Sequence, residues 1–338
     1  MRIPFSKISV GWREIWSIIK VLRSGWLTTG KVTKQFEKEF AEYVGAKYAV
    51  AVSSCTIGLE LALKCKGIKR GDIVIVPAFT FCATAQAAEN VGATVIFGDI
   101  KLDTLCLDEN SIIVKRTKKI ASGIIPVHLG GEEAFTRYDI PVIEDSAHRV
   151  ERGQCKNNPN IVCFSFYPTK NMTTGEGGMV CTNDENEYKW LLKARSHGRT
   201  KLVGYGYDVE FLGQKANLPD VLSAIGLVQL RKIDKMNKKR DELVALYNEE
   251  LGFGWHGNHL YPIFIKERER FIEYMRRNGV DCSVHFVPLH KMTAYKDYSQ
   301  IKLPVTDAIG FNEVSLPLYP SLSKRQVKRI CRLIKSYE

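Results

Sequence analysis

The sequence predicts an α/β protein with a large domain, built on a mainly parallel sheet wrapped by helices, and a smaller α+β domain after it. Two observations carry this. From about residue 30 to 235, short apolar runs rich in β-branched residues alternate with helix-period patterns, as they do when crossover helices join parallel strands. A chain of 338 residues also exceeds what one core usually organises, so a second domain is expected. The reading divides the chain into an amino-terminal segment 1–30, a large domain 31–235 and a small domain 236–338.

The elements follow in order. Met1 to Ser24 scatters Arg13, Glu14, Lys20 and Arg23 through an amphipathic pattern with no small-residue cleavage site, which predicts a helix and no signal peptide. Gly25 is placed to cap that helix. Ala49 to Val52 reads as a strand, and Ile57 to Leu63 begins a helix capped by Ser or Thr from the run Ser53-Ser54-Cys55-Thr56. Free amides and the helix dipole there attract an anion. Thr56 and its neighbouring amides, with Ser165 converging from a later strand, could hold a phosphate monoester; a cap without a ligand is the plain alternative.

Pro141 to His148 reads as a buried strand ending in acidic and small residues. Asp145 then projects from the carboxyl end, where open α/β sheets place ligands, although it could equally cap a following helix. Val162 to Phe166 and Met179 to Thr182 are expected strands, with a turn at Gly175, Gly177 and Gly178. Lys170 lies on the connection between them. A desolvated lysine at a sheet end can lose its proton and attack a carbonyl, whereas a solvated loop lysine does nothing. An Asp to pair with a pyridinium nitrogen and a Lys to bond an aldehyde are what pyridoxal phosphate requires of a protein. Val228 to Glu250, rich in Lys, Arg and Leu at helical spacing, is expected to be one long connecting helix.

Composition is that of a soluble globular protein, with 45% hydrophobic and 25% charged residues. No apolar run approaches the roughly 18 residues needed to span a membrane. Nine cysteines without a C-x-x-C pair argue for reduced thiols and a cytoplasmic location, and against a disulfide framework. The net charge of +12 is spread through helices without an aromatic-interleaved cluster, so no nucleic-acid partner is expected; steering of an anionic substrate is the more economical use. His256 and His259 have H-x-x-H spacing but no evident third ligand, and no metal site is assigned.

Several motifs now stand in one order: Ser54-Cys55-Thr56, Pro77 to Ala85, Pro126 to Gly130, Glu144 to His148, Phe164 to Gly178, Arg195 to Gly198, Gly213 to Asp220, and Ser315 to Pro320. Together they resemble the nucleotide-sugar aminotransferases of the DegT/DnrJ/EryC1/StrS family over nearly the whole chain. The resemblance implies the aspartate-aminotransferase-like fold (fold type I), with pyridoxal 5'-phosphate as cofactor. It implies Lys170 as the lysine that carries the cofactor, Asp145 as partner of the pyridine nitrogen, Phe81 packed on the ring, and His148 near the ring hydroxyl. Thr56, Cys55 and Ser165 match phosphate contacts. Cys55 departs from the Gly usual there, and the loops after Gly130 and His148 are shorter than the family pattern. Lys215 matches a residue that reaches the phosphate from the neighbouring subunit, which implies a homodimer with shared active sites.

Trp26, Thr29, His285 and His290 match segments beside the sugar cleft. A related dehydratase carries His where this chain has Lys170, so transamination is the implied reaction. L-Glutamate gives the amino group, Lys170 moves a proton between substrate and cofactor carbons, and a nucleotide-linked keto sugar receives the nitrogen. Thr173 to Gly178 with Lys215 and Asn217 resembles the enzymes of 4-amino-4,6-dideoxy sugars. That points to dTDP-4-keto-6-deoxy-glucose and dTDP-viosamine, with GDP-perosamine synthesis or amination of a 3-keto sugar as alternatives.

Overall fold

In the computed structural model, residues 2–111, 120–202 and 206–337 are described; segments 112–119 and 203–205 of the expected large domain lie outside the described residues. Seven short strands form the central sheet: β1 Tyr48–Val52, β2 Ile73–Pro77, β3 Thr94–Gly98, β4 Gly123–Ile124, β5 Ile143–Asp145, β6 Ile161–Ser165 and β7 Gly178–Thr182. Ladders and the bridge between Ile124 and Val142 set the order β3-β2-β4-β5-β6-β7-β1. The pairs from β3 to β6 are parallel, while β7 runs antiparallel to both β6 and β1.

The strands are apolar along both faces because helices cover both. Alternate residues divide between two cores, as the two-residue strand period requires. Val50, Val52, Cys163 and Val180 pack with α3 (Cys55–Cys65) and α4 (Cys82–Asn90). Ala49, Ala51, Val162, Phe164, Met179 and Cys181 pack with Phe36 and Phe40 of α2 (Lys31–Val44). On that second face, α6 (Asp220–Leu230) lies so close to α2 that a methyl group on Gly226 would meet the Phe36 ring at 2.6 Å. Between these helices in sequence come α5 (Glu185–Ala194) and a hairpin of β8 (Arg199–Lys201) and β9 (Tyr207–Val209).

The expected helix over Val228 to Glu250 is instead two. α6 ends at Leu230 and α7 (Ile233–Leu251) begins after Lys232, whose φ of −116° is not helical. The break has a cause distant in sequence. Gln229 donates to the Ser9 carbonyl and to Glu14 of α1 (Trp12–Ser24), and Lys232 donates to the same carbonyl and pairs with Glu14. These contacts to the amino-terminal segment turn the chain between the two helices.

The carboxyl-terminal part packs β10 (Tyr261–Phe264) antiparallel to β11 (Glu313–Leu316), with α8 (Arg268–Arg277), α9 (Pro304–Ile309) and α10 (Lys324–Lys335) around Tyr247, Tyr261, Phe271 and Ile330. Two segments cross the expected divisions. Ile3 belongs to this core and bridges Val280, whereas Leu289, Tyr295 and Leu303 pack into the first core of the large sheet, where the Leu289 amide bonds Ala78.

Asp220, the first residue of α6, ties the start of α2 to that helix. The α2 helix starts at Gly30, which has no side chain to satisfy the first free amides. The buried Asp220 carboxylate supplies what is missing, accepting from the Gly30 and Thr33 amides at 2.8 Å, the Val32 amide at 3.2 Å and the Thr33 hydroxyl at 2.6 Å. Replacing Asp220 by Ala is expected to cost about 3 kcal/mol, since it strands two buried donors on Thr33 and two half-buried amides of charge-assisted bonds. Urea unfolding should show a lower midpoint with unchanged slope, and Asp220→Asn, which keeps an acceptor oxygen, should lose less.

Candidate active site

One cavity of about 460 Å3 opens at the carboxyl ends of the parallel strands. Lys170, Asp145, His148, Phe81, Thr56, Cys55, Ser165 and His285 all line it, so the structure brings most of the expected site residues together.

The anion cradle comes from the junction of β1 and α3. Ser54 is the helix cap, and its hydroxyl accepts from the Ile57 amide at 3.2 Å. Helix geometry leaves the amides of Cys55 and Thr56 without intrahelical partners, and they sit beside the cavity with Ser165 at the end of β6. Gly178 lets β7 come this close: a methyl group there would lie 2.8 Å from both the Cys55 nitrogen and the Phe164 carbonyl. Cys55 occupies its position with a buried thiol, which lies 4.0 Å from Asp145 and is pushed well up by burial, so it stays neutral.

Asp145 ends β5 inside the cavity and no helix follows it; Ser146 to Arg149 form a turn. Its carboxylate accepts from the Thr84 hydroxyl at 2.8 Å and from the Ala147 amide at 3.1 Å. Burial raises its pKa, and these two donors oppose the rise. The preceding Glu144 faces the other way and accepts from Asn158 and Asn160 while pairing with His128 at 3.0 Å. Burial would raise Glu144 too, yet His128 and the two amides bring it below its ordinary value. Of two adjacent acids, one is structural and one serves the cavity.

Lys170 follows β6 through a turn in which its amide bonds the Tyr167 carbonyl at 3.0 Å. The residue as a whole is only partly buried, but desolvation of its amine lowers the pKa from 10.5 to about 8, with Asp145 pulling in the other direction. His148 is buried and accepts from the Gly130 amide on Nδ1 at 3.2 Å, which assigns the ring proton to Nε2. Its pKa is pushed well down by burial and then by Lys170 and His259, so it is a neutral donor. His259 lies 4.4 Å from it, centre to centre, and Phe286 lies 5.9 Å away on a nearly parallel plane. Phe81, half exposed at the start of α4, meets Phe286 at 5.8 Å.

Four expected contacts lie elsewhere. Lys215 is exposed outside the cavity and donates to Asn217, which donates to the Thr29 hydroxyl at 2.5 Å. Trp26 reaches the Thr29 carbonyl at 3.3 Å. Trp26, Thr29 and Lys215 therefore form a second polar cluster, apart from the cavity lining. His290 is buried against Asp307 at 3.0 Å and does not reach the cavity; it has a packing role in this chain. Sequence reasoning passed over His259, Tyr167, Glu176, Phe5 and Thr84. His259 had a signal only as half of an H-x-x-H pair, and among the described residues no group of side chains is arranged to hold a metal ion.

The set fits pyridoxal phosphate. Free amides at the α3 terminus suit its phosphate, buried Asp145 its ring nitrogen, the His148 Nε2 donor its ring oxygen, Phe81 its aromatic face, and the Lys170 amine its aldehyde. The comparisons with known proteins agree. The chain matches the DegT/DnrJ/EryC1/StrS aminotransferase family over residues 10–335. It belongs to that family. It is 34% identical to the spore coat polysaccharide biosynthesis protein SpsC of Bacillus subtilis, across 98% of this chain and 96% of that one. Among solved structures it superposes on Spr1654 from Streptococcus pneumoniae in its PMP form with a TM-score of 0.89 at 28% identity, covering 99% and 97% of the two chains. PseC of Helicobacter pylori, an aminotransferase involved in the biosynthesis of pseudoaminic acid, matches with a TM-score of 0.89 at 25% identity over 99% and 98%. The DegT/DnrJ/EryC1/StrS fold here is thus that of a pyridoxal phosphate-dependent sugar aminotransferase, of fold type I.

The lowered pKa of Lys170 has a thermodynamic consequence. Its value falls from 10.5 in the unfolded chain to about 8 in the cofactor-free folded one, so the folded state resists protonation. The resulting cost, about 3 kcal/mol, is fully present below pH 8 and fades as pH rises toward the unfolded value. Cofactor-free Lys170→Met should unfold at a higher temperature than the parent at pH 7, and the gap should close as pH approaches 10. Thermal melts of both proteins across that range check the sign.

Proposed function

We propose that this enzyme transfers the amino group of L-glutamate to C4 of a nucleotide-linked 4-keto-6-deoxyhexose, foremost dTDP-4-keto-6-deoxy-glucose, giving dTDP-viosamine. The observation that carries the reaction is a single cavity holding a lysine with a pKa near 8 together with a buried, hydrogen-bonded aspartate. An amine so poised has a substantial neutral fraction near physiological pH, which suits a group that must both take and return a proton. Bound pyridoxal phosphate supplies an electron sink for the carbon that loses that proton.

With the cofactor bound, Lys170 would take the proton from the α-carbon of glutamate and pass it to the cofactor carbon within the first half-reaction, and in the second would move a proton back from that carbon to C4 of the sugar. Asp145, held by Thr84 and Ala147, keeps a proton at the ring nitrogen. His148 donates from Nε2 to the ring oxygen. The Cys55 and Thr56 amides and Ser165 take the phosphate.

The sugar assignment rests on the Thr173 to Gly178 form with Lys215 and Asn217. The roles named for two relatives, in coat polysaccharide and in pseudoaminic acid biosynthesis, support a sugar as the acceptor without choosing among the alternatives. A surplus of twelve positive charges favours encounter with a nucleotide diphosphate. The unpaired state of all nine cysteines suits a reducing cytoplasm. Among the described residues no helix is long and apolar enough to cross a membrane.

Lys215 lies outside the cavity of its own chain, which supports a homodimer in which it completes the partner's site. Co-expressing Lys170→Ala with Lys215→Ala should restore activity on the order of a quarter of the parent's, because hybrid dimers retain one site with both lysines. Two inactive parents with no recovery in the hybrid would place Lys215 in the same site as its own Lys170. Incubation with glutamate and a panel of dTDP-, UDP- and GDP-linked 3- and 4-keto sugars, followed by mass and NMR, should show nitrogen at C4 of the dTDP sugar. Nitrogen at C3, or on a GDP sugar alone, would replace the assignment.

A further inference from the structure

His285 lines the cavity, stacked on Phe5 with ring centres 5.2 Å apart, and the side of its ring away from the cavity meets a short polar chain. Its Nδ1 lies 3.0 Å from the Ser315 hydroxyl, which in turn lies 2.5 Å from Oε1 of Glu313. The other oxygen of Glu313 accepts from the backbone amide of His285 at 2.7 Å. Glu313 and Ser315 are both fully buried, two residues apart on β11, so they share one face of that strand.

We propose that Glu313, Ser315 and His285 form one proton-accepting unit that opens on the cavity, in which a proton taken up at His285 Nε2 ends as a proton on Glu313. The protons balance as follows. With Glu313 ionised, Ser315 donates to Oε1, His285 donates from Nδ1 to Ser315, and Nε2 is a bare acceptor. When Nε2 gains a proton from the cavity, the Nδ1 proton passes to Ser315 and the Ser315 proton passes to Glu313. Glu313 then donates to Ser315, Ser315 donates to Nδ1, and Nε2 becomes a donor. One proton is added, and the imidazole is neutral before and after.

The surroundings favour this route over an imidazolium. Burial, and then the facing Lys170, lower His285 to about 4, while burial raises Glu313 to about 8 against the donors Ser315 and the His285 amide and against nearby Arg268. Cys282 also faces Glu313, and His148 and His259 face His285; burial holds both histidines neutral and pushes the Cys282 thiol to about 12. A positive charge on His285 would stand beside Lys170, whereas a proton on Glu313 neutralises a buried carboxylate. Glu313 and Ser315 are positioning residues: they decide whether His285 offers the substrate an acceptor or a donor. The proposal rests on the aminotransferase reading only for what meets Nε2, namely a sugar hydroxyl or a proton in transit.

The test reads the tautomer directly, with no sugar present. Long-range 1H–15N NMR of histidine-labelled holoenzyme distinguishes Nδ1–H from Nε2–H, and comparison with His285→Gln assigns the signal. Between about pH 6 and 9.5, His285 should pass from Nε2–H to Nδ1–H without an imidazolium signal. In Glu313→Gln the amide group must donate to Ser315 if its oxygen is to keep the His285 amide, so Nε2–H should persist throughout. In Ser315→Ala the pH dependence should vanish while the cofactor absorbance remains. One tautomer shared by the parent and both variants across that range, or an imidazolium at His285 in the parent, would overturn the proposal. Failure of the sugar assignment would leave these signals unchanged.

Discussion

The close approach of β7 to the first turn of α3 is the constraint on which the site depends. Only Gly178 permits it, since any side chain there would enter the Cys55 amide and the Phe164 carbonyl. The antiparallel β7 lies between β6 and β1, and the amides of Cys55 and Thr56 are thereby brought next to Ser165. From β6 the chain has five residues in which to reach Lys170, with Thr173 and Thr174 bonding back to Phe166 to hold the turn. A cradle for an anion and an amine for an aldehyde are placed by the same backbone contact.

Much of this was legible in the sequence because it is local. The strands over 49–52, 162–166 and 179–182 are found within a residue or so of their expected bounds, since short apolar runs flanked by Gly, Ser and Asn leave few alternatives. The Ser54 cap and the Lys170 turn follow from residue types in adjacent positions. What could not be read depends on distant partners. The break at Arg231 and Lys232 is set by Ser9 and Glu14, more than two hundred residues earlier, and helical spacing alone carries no trace of it. His290 resembled a cleft residue by position in a motif, but its burial against Asp307 depends on how α9 packs. His259 enters the cavity because its amide bonds the Gly130 carbonyl, a contact between the two expected domains.

The cavity concentrates titratable groups and yet limits its charge. Desolvation is the first cause of the shift at Lys170, His148, His259 and His285, and in each it disfavours the cationic form. Four basic side chains around one cavity would repel one another if all were protonated; burial resolves the conflict by keeping three imidazoles neutral. Asp145 is the counterweight. Thr84 and the Ala147 amide oppose the tendency of burial to protonate it, so this buried carboxylate beside Lys170 has donors that favour its ionised form.

The second polar cluster is the surface that the proposed homodimer would use to complete the cavity of a neighbouring subunit. Asp220 fixes Gly30 and Thr33, Thr29 bonds Leu218, and Asn217 joins Thr29 to Lys215, so the segment Trp26 to Gly30 and the segment Lys215 to Asp220 are held as one unit. These mostly half-buried hydrogen bonds order two loops that carry an exposed lysine and tryptophan, and loops held on a scaffold are where binding side chains are placed. Asn217 also bridges Val52, the last residue of β1, which anchors the unit two residues before the Ser54 cap. The rigid unit thus presents Lys215 and Trp26 at a fixed place relative to the anion cradle, on the outside of the chain. In the proposed dimer a lysine held in this way would suit the neighbouring subunit's phosphate, because a preorganised cation loses less side-chain entropy on pairing than a free one.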